Sequence, residues 1–323
     1  MADEFVTGMR GLLSVSDTEV STSTSSNGTD SVQENEETAT DANVKDTEGN
    51  GLSPCSNEPL LTTLTESFFE IIIAHGKGFG LFATKDIPRG TRIIGEKPLL
   101  AVPGQKGDDL DLSDLETTLR ALDREQYDKI FELHRGNKAT SALAKALLSQ
   151  QSQALSGAFR DEDILDAVAI FTVTSVEMGP GGHYGVGIFE HYSRINHACN
   201  GNVQCSYNPL LKKLTVHTTR QINKGDEILT SYIDGTCRTR EERRNVLDHW
   251  GFECGCECCV GSKAAASERR RSKMSTLKQR LAVYAKKPAS QVPRSPRAAL
   301  RLCEDILELY RFEDITDYNL ALL

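Results

Sequence analysis

No apolar run in the sequence approaches the ~18 residues that a membrane-spanning helix requires. Its first ten residues, Met1 to Arg10, lack a basic stretch followed by an apolar core and a small-residue cleavage site, so no secretory signal is expected. Large apolar residues are almost missing from Ser14 to Gly51, which is built of Ser, Thr, Asp, Glu, Asn and Gly. Such a stretch cannot bury enough surface to offset its chain entropy, and residues 1–63 are expected to form a disordered acidic tail. Cysteine is absent between Cys55 and Cys199, which excludes a cysteine-based zinc finger over that span. No internal repeat is complete. Together these absences predict a chain that is neither secreted nor embedded in a membrane. It is expected in the nucleus or cytoplasm, where disulfides are rare.

The length of 323 residues allows roughly two domains. The formal net charge of −9 is unevenly spread: residues 1–60 hold 12 acidic and 2 basic side chains, and the remainder is nearly balanced. The acidity therefore belongs to the tail and says nothing of what the folded body binds.

Past Leu60 the pattern becomes β-rich. Phe68 to Ile73 is aromatic and β-branched, as a strand requires, and Gly76, Gly78 and Gly80 punctuate a turn. Leu81-Phe82-Ala83 and Thr91 to Ile94 read as two further short strands about the turn Pro88-Arg89-Gly90. After Gly107, Leu112, Leu115, Leu119 and Leu122 recur at helical spacing. Ser113 with Glu116, and Asp123 with Gln126, fit helix-starting capping boxes. Ala139 to Leu155 and Asp161 to Val173 also read as helices, so a helical insert of about 108–170 is expected within the β-rich unit. Strands return at Val203 to Tyr207, Leu214 to His217 and Glu227 to Tyr232. Arg238 to Trp250 is charged and helical. Residues 261–287 hold 9 basic and 1 acidic side chains and read as a basic linker or an exposed helix. Leu300 to Tyr310 forms a last helix within a C-terminal segment, 261–323, and Leu320 to Leu323 is an apolar ending.

Nine cysteines in a reducing compartment call for another explanation, and four of them fall at Cys254, Cys256, Cys258 and Cys259. A tight turn spaced like Cys254-Gly255-Cys256 and Cys259 can aim three thiolates at one tetrahedral ion. Cys258 competes with Cys259 for that place, and a fourth ligand is needed. Glycines at 76, 78 and 80 let backbone groups approach a ligand closely, although alternating glycines also make ordinary turns.

The order of these motifs carries more than any one of them. Gly76-Lys77-Gly78-Phe79-Gly80, Arg194-Ile195-Asn196-His197-Ala198-Cys199, Gly225-Asp226-Glu227-Ile228 with Tyr232, and Cys254, Cys256 and Cys259 follow one another as in SET-domain protein methyltransferases. The resemblance covers about 190 of the 323 residues and is closest to the SET-and-MYND type, without its MYND zinc finger. It implies an α+β fold: a β-rich SET domain over 64–260 with a pseudoknot, the helical insert, a zinc-binding post-SET segment at 237–260, and C-terminal helices. It implies S-adenosylmethionine and zinc as cofactors, with Cys199, Cys254, Cys256 and Cys259 as the metal ligands. Lys77, Gly78, Phe79, Asn196, His197, Tyr232, Trp250 and Phe252 would bind the methyl donor, and Tyr232 would be the catalytic phenol. The partner implied is a protein presenting a lysine, histone or not, and the chain is expected to act as a monomer.

The sequence departs from the family at Thr172 to Val176, where Thr174 stands in a position that would otherwise contact cofactor, and at Asn200-Gly201, where proline is usual before Asn202. The first departure supports an alternative, a catalytically inactive zinc-stapled scaffold for protein interaction. Direct nucleic-acid binding by residues 261–287 is not expected, since Tyr284 is their one aromatic and the cysteine spacing matches no DNA-reading finger.

Overall fold

The computed structural model describes residues 67–103, 111–151, 161–179, 182–233, 237–285 and 297–315. The expected acidic tail and the apolar ending at Leu320 to Leu323 lie outside these residues. Among the described residues, ten strands form three small sheets. The first has the order β1 (Phe69–Ala74), β2 (Gly78–Ala83), β10 (Glu227–Thr230), β7 (Asn196–His197). The second is β3 (Arg92–Glu96), β9 (Lys213–Thr218), β8 (Val203–Asn208). The third is β4 (Leu100–Val102), β6 (Val186–Ile188), β5 (Val176–Glu177).

Four helices, α1 (Leu112–Arg120), α2 (Arg124–Phe131), α3 (Lys138–Gln151) and α4 (Asp161–Thr174), follow β4. Three more, α5 (Arg240–Leu247), α6 (Ala264–Ala285) and α7 (Arg297–Phe312), follow the last strand. Helix α2 starts at the expected box: Asp123 accepts from the Gln126 backbone N–H, and the Gln126 side chain accepts in return. Helix α1 does not start at Ser113. Its cap is Asp111, which accepts from the Ser113 backbone N–H at 2.8 Å and is thereby held below the usual carboxylate range. Glu116, read as the second half of a box, is buried and pairs instead with Arg120. Helix α5 carries a box absent from the sequence reading, Thr239 with Glu242.

Apolar burial falls into three clusters. One joins α1–α4 to the third sheet through Leu112, Leu115, Ile130, Val168, Ile170 and Ile188. Helix α4 is buried residue after residue from Ala167 to Phe171, as that apolar run requires. The second fills the space between the first two sheets with Leu81, Ile87, Ile94, Ile195, Val216 and Ile228. The third packs Met274 and Leu277 of α6 on Leu302, Ile306 and Tyr310 of α7. The basic stretch read as a linker or an exposed helix is therefore a helix with one buried stripe, Ser267, Arg271, Met274 and Leu277. Its spacing of three and four residues was masked by the charges on the other faces.

Strand β10 is the topological centre. It pairs antiparallel with β2 (Ile228↔Leu81) and parallel with β7 (Leu229↔Asn196, Thr230↔His197). The loop after β7 closes over it. Ala198 donates to the Thr230 carbonyl at 2.9 Å. Asn202 gives its side-chain amide to the Glu227 carbonyl and takes the Leu229 N–H, at 2.9 and 2.8 Å. This is the arrangement expected of the pseudoknot. Between those contacts lies Gly201, where a Cβ would stand 2.7 Å from the Leu229 carbonyl oxygen and the Thr230 Cα. In this backbone any side chain at 201, proline's included, would meet the crossing strand.

Gly201→Ala should therefore lower the unfolding free energy by about 1–3 kcal/mol through overpacking. Gly95→Ala, on a strand with nothing within 4 Å of its added Cβ, should stay within about 0.5 kcal/mol of the parent. Denaturant midpoints of the two variants check this, and equal midpoints would refute it.

Candidate functional site

Four sulfurs, from Cys199, Cys254, Cys256 and Cys259, lie within 4.8 Å of one another. Cys199 comes from the loop that closes over β10. The other three come from a turn in which the Cys259 and Val260 N–H groups both reach the Cys256 carbonyl. The Cys199 Sγ is 3.8 Å from that of Cys254 and 3.5 Å from that of Cys259. A tetrahedral Zn–S₄ site with bonds of ~2.3 Å has edges of about 3.8 Å, so the group has the size and donor chemistry for zinc. Cys258 is outside it. Its sulfur faces the Arg271 guanidinium at 3.7 Å, and its thiol is pushed up by the neighbouring Cys256. The Cys259 thiol is held well below its ordinary range by the thiols of Cys199, Cys254 and Cys256, with Arg243 adding to them. The Cys254 thiol is lowered to about 7 by its contact with Cys199.

Two arginines with no exposed side-chain surface flank the sulfurs. Arg243 of α5 points its Nη2 at Cys259 Sγ (3.5 Å) and at the Cys258 carbonyl, and its Nη1 donates to the Arg238 carbonyl at 2.8 Å. Its Nε is buried without a hydrogen bond. Arg271 of α6 donates to the Cys199 carbonyl at 3.2 Å and pairs with Glu313. A buried charge is costly unless compensated. Four thiolates around a divalent cation carry two negative charges, which Arg243 and Arg271 match. Glu313 is balanced in turn by Arg270.

On the other side of Cys199 stands His197. Its Nδ1 accepts from the Tyr232 backbone N–H at 3.0 Å. The proton of the neutral ring must then lie on Nε2, which faces Cys199 Sγ at 3.5 Å. Burial lowers the imidazole to about 4, so the ring is neutral. Around it lie Tyr232, Trp250 and Phe252: ring centroids are 5.3 Å apart for His197–Tyr232, 5.4 Å for Tyr232–Trp250 and 5.9 Å for His197–Phe252. The Tyr232 hydroxyl donates to the Ile195 carbonyl at 2.8 Å, and burial raises its pKa, so it stays a neutral phenol. Trp250 is held by an Nε1–H bond to the Val173 carbonyl at the end of α4.

The glycine-rich turn meets this cluster through Asn196. Its Nδ2 donates to the Phe79 carbonyl (3.1 Å) and to Glu227 Oε1 (2.8 Å), and Glu227 also pairs with Lys77. Lys77, Gly78 and Phe79 are thus brought beside Asn196 and His197 by strand pairing, but the Phe79 side chain is 60% exposed and packs on none of them. Thr174, at the departure from the family pattern, is buried and turns its hydroxyl back to the Ile170 carbonyl. Sequence reasoning missed Glu227, Arg243 and Arg271 as parts of this constellation. Glu227 lay within a quoted motif. The arginines gave no signal, since charged residues on helices are ordinarily solvated.

Purified chain should carry about one zinc, and Cys256→Ser should lose it. Arg243→Met should keep the ligands yet weaken zinc by about ten-fold or more, as loss of a partner of the ligands does. Metal analysis and chelator competition report both, and full occupancy in Cys256→Ser would reject the ligand set.

A family model described as the SET domain matches residues 78–233. The histone-lysine N-methyltransferase set5 of Schizosaccharomyces pombe is 30% identical over 234 residues, which is 72% of this chain and 62% of that protein. The N-lysine methyltransferase SMYD2 of Mus musculus is 31% identical over 166 residues, covering 47% of this chain and 37% of its own length. This chain thus spans less than two thirds of either relative. Among solved structures, the SET domain of LSMT bound to lysine and AdoHcy is similar with a TM-score of 0.39 and 12% identity, over 67% of this chain and 60% of that one. The matched stretch opens on β2, contains β7 and the loop that closes over β10, and ends one residue past Tyr232: it is a SET domain.

Proposed function

We propose that this chain is an S-adenosylmethionine-dependent protein-lysine N-methyltransferase, with Tyr232 at the reaction centre. The observation that carries the reading is a buried, neutral phenol, oriented by the Ile195 carbonyl and walled by His197, Trp250 and Phe252, one strand pairing away from Asn196. The names of the relatives support lysine as the acceptor, in a histone or another protein. That substrate class fits the nucleus or cytoplasm. Among the described residues no helix is long and apolar enough to cross a membrane.

S-adenosylmethionine would supply an electrophilic methyl on a sulfonium. The residues around Tyr232 need not supply a strong base. Free lysine titrates near 10.4, so its neutral form at pH 7 lies only about 4.6 kcal/mol away. An apolar aromatic wall disfavours the ammonium, and the amine gives up its proton to solvent water before transfer. Tyr232 then keeps the nitrogen aligned, which removes much of the entropic part of the barrier. Its oxygen, already donating to Ile195, offers lone pairs to the partly positive methyl as charge shifts, which favours the transition state over the ground state. The neutral imidazole of His197 fixes the Tyr232 backbone. Asn196, Lys77 and Glu227 present one amide and two opposite charges beside the glycine-rich turn, a donor set that fits an amino-acid group. Cys199, Cys254, Cys256 and Cys259 would hold zinc in a closed structural site, since a four-thiolate ion has no open position for chemistry.

Tyr232→Phe removes one hydroxyl and keeps the ring. Transfer of labelled methyl to histone and cell-extract proteins should fall about ten-fold or more, equivalent to about 1.4 kcal/mol, with cofactor affinity retained. A variant as fast as wild type would refute the assignment. A wild type that binds cofactor and labels nothing would favour the inactive scaffold.

A further inference from the structure

We propose that Glu96 is a positioning residue for Tyr232: its carboxylate fixes the single helical turn Tyr192–Arg194, and that turn sets the Ile195 carbonyl to which the Tyr232 hydroxyl is bonded. The inference rests on the methyl-transfer reading above and adds a residue that none of the sequence motifs includes.

The turn closes on itself through two hydrogen bonds of 3.0 Å, from the Arg194 N–H to the His191 carbonyl and from the Ile195 N–H to the Tyr192 carbonyl. His191 stands at its start, and the His191 side chain caps none of its N–H groups. Glu96 of β3, 95 residues earlier, does so instead. Its Oε1 accepts from the Tyr192 N–H at 2.9 Å, and its Oε2 accepts from the His191 N–H at 3.1 Å. Oε2 also meets the His191 ring at Nδ1, 3.0 Å away, and this bond holds the imidazole above its ordinary range although burial opposes it. Phe69 packs against that ring at a centroid distance of 5.4 Å. Across the turn, the Tyr192 hydroxyl bonds to the side chains of Cys205 and Thr230. Beyond it, the Ile195 carbonyl accepts from the Tyr232 hydroxyl at 2.8 Å.

Other holds on the turn are weaker in kind. Ser193 meets the Thr174 carbonyl and the Phe189 N–H, both at 3.3 Å, and Arg194 donates to the Glu190 carbonyl within the same segment. Hydrogen bonds to an ionised acceptor are roughly twice as strong as neutral ones, and three converge on Glu96. An amide of the same length cannot replace it, because its NH₂ would stand where one of the two accepting oxygens stands. The turn would then shift and carry the Ile195 carbonyl with it. Asn196, the next residue, is pinned on β10 by the pairing Leu229↔Asn196. Slack therefore falls on the Tyr232 hydroxyl rather than on Asn196. Loss of alignment at a reacting group slows the chemical step without weakening binding.

Methyl transfer to a histone mixture by the full chain, in a double-mutant cycle with Tyr232→Phe, separates positioning from a merely structural role. Glu96→Gln should lower kcat by about ten-fold, with KM and S-adenosylhomocysteine affinity within about two-fold of the parent. In a Tyr232→Phe background, which has no hydroxyl left to place, the same change should cost less than about two-fold. His191→Asn removes only the ring contact and should lower kcat by about three-fold, an effect that likewise vanishes with Tyr232→Phe. It serves for the cycle if Glu96→Gln does not fold. Tyrosines labelled at Cζ give a readout independent of turnover. The Tyr232 resonance, identified by its loss in Tyr232→Phe, should shift in both the Glu96 and the His191 variant. Parental kcat in both variants, an equal fall with and without the Tyr232 hydroxyl, or an unmoved Tyr232 resonance would each overturn the proposal. A wild type that binds S-adenosylhomocysteine and methylates nothing would instead overturn the enzyme reading beneath it, and the resonance would still decide the positioning.

Discussion

Arg243 and Arg271 lie on two different helices, and neither side chain has exposed surface. Arg243 reaches the Cys259 sulfur, and Arg271 reaches the Cys199 carbonyl and the Cys258 sulfur beside the group. Burying two guanidinium groups is tolerable only where fixed negative charge meets them. Within hydrogen-bonding reach stand the cysteine sulfurs, backbone carbonyls and one carboxylate, Glu313. Metal-bound thiolates would add two negative charges beside the Arg271–Glu313 pair and the Arg243–Glu268 contact at 4.0 Å. The sulfur group would thereby help to dock α5 and α6. Cys199 belongs to the loop over β10, so the same charges tie the C-terminal helices to the centre of the SET domain. Asn200 strengthens the tie by donating to the Glu313 carbonyl at 2.6 Å, as does Arg220 through Asp314.

From that centre the constraint passes to the aromatic site through one ring. His197 touches Cys199 with Nε2 and the Tyr232 backbone with Nδ1. Burial keeps it neutral, which fixes the direction of both hydrogen bonds. Tyr232 is thus positioned at both ends, by His197 at its backbone and by the Ile195 carbonyl at its hydroxyl. Trp250 and Phe252 lie just before Cys254 in the chain, so the turn that gathers the sulfurs also brings up the wall of the proposed lysine site. The four-sulfur group and the phenol proposed for the reaction centre become parts of one arrangement, consistent with the need to hold reacting groups in narrow geometry.

Much of this was legible in the sequence where a motif is local. The strands Phe69–Ala74, Val203–Asn208 and Lys213–Thr218 follow their β-branched patterns, and Asp123 with Gln126 forms the box that its spacing announces. The cysteine turn was readable for the same reason. What escaped depends on long-range contacts. Strand β7 has two residues and exists because β10 pairs with it. Strands β5, of two residues, and β6, of three, carry no pattern of their own. Ser113 with Glu116 has the spacing of a box, yet Asp111 makes the cap, which spacing alone does not announce. The basic run at 261–287 hid a buried stripe because Arg271 counts as a solvated charge until the Cys199 carbonyl, 72 residues away, is seen beside it. Glu227 was quoted for its place in a motif, and only strand pairing puts it against Asn196 and Lys77.

The claim that one buried charge group holds both the fold's centre and its proposed reaction site is open to a direct measurement. The full chain is stripped of metal with a chelator, and S-adenosylhomocysteine binding is measured together with amide exchange at Thr230 and Tyr232, before and after zinc is restored. The account predicts that metal removal abolishes binding and releases both amides to exchange, and that zinc returns both. A metal-free chain that binds with unchanged affinity and keeps both amides protected would contradict it.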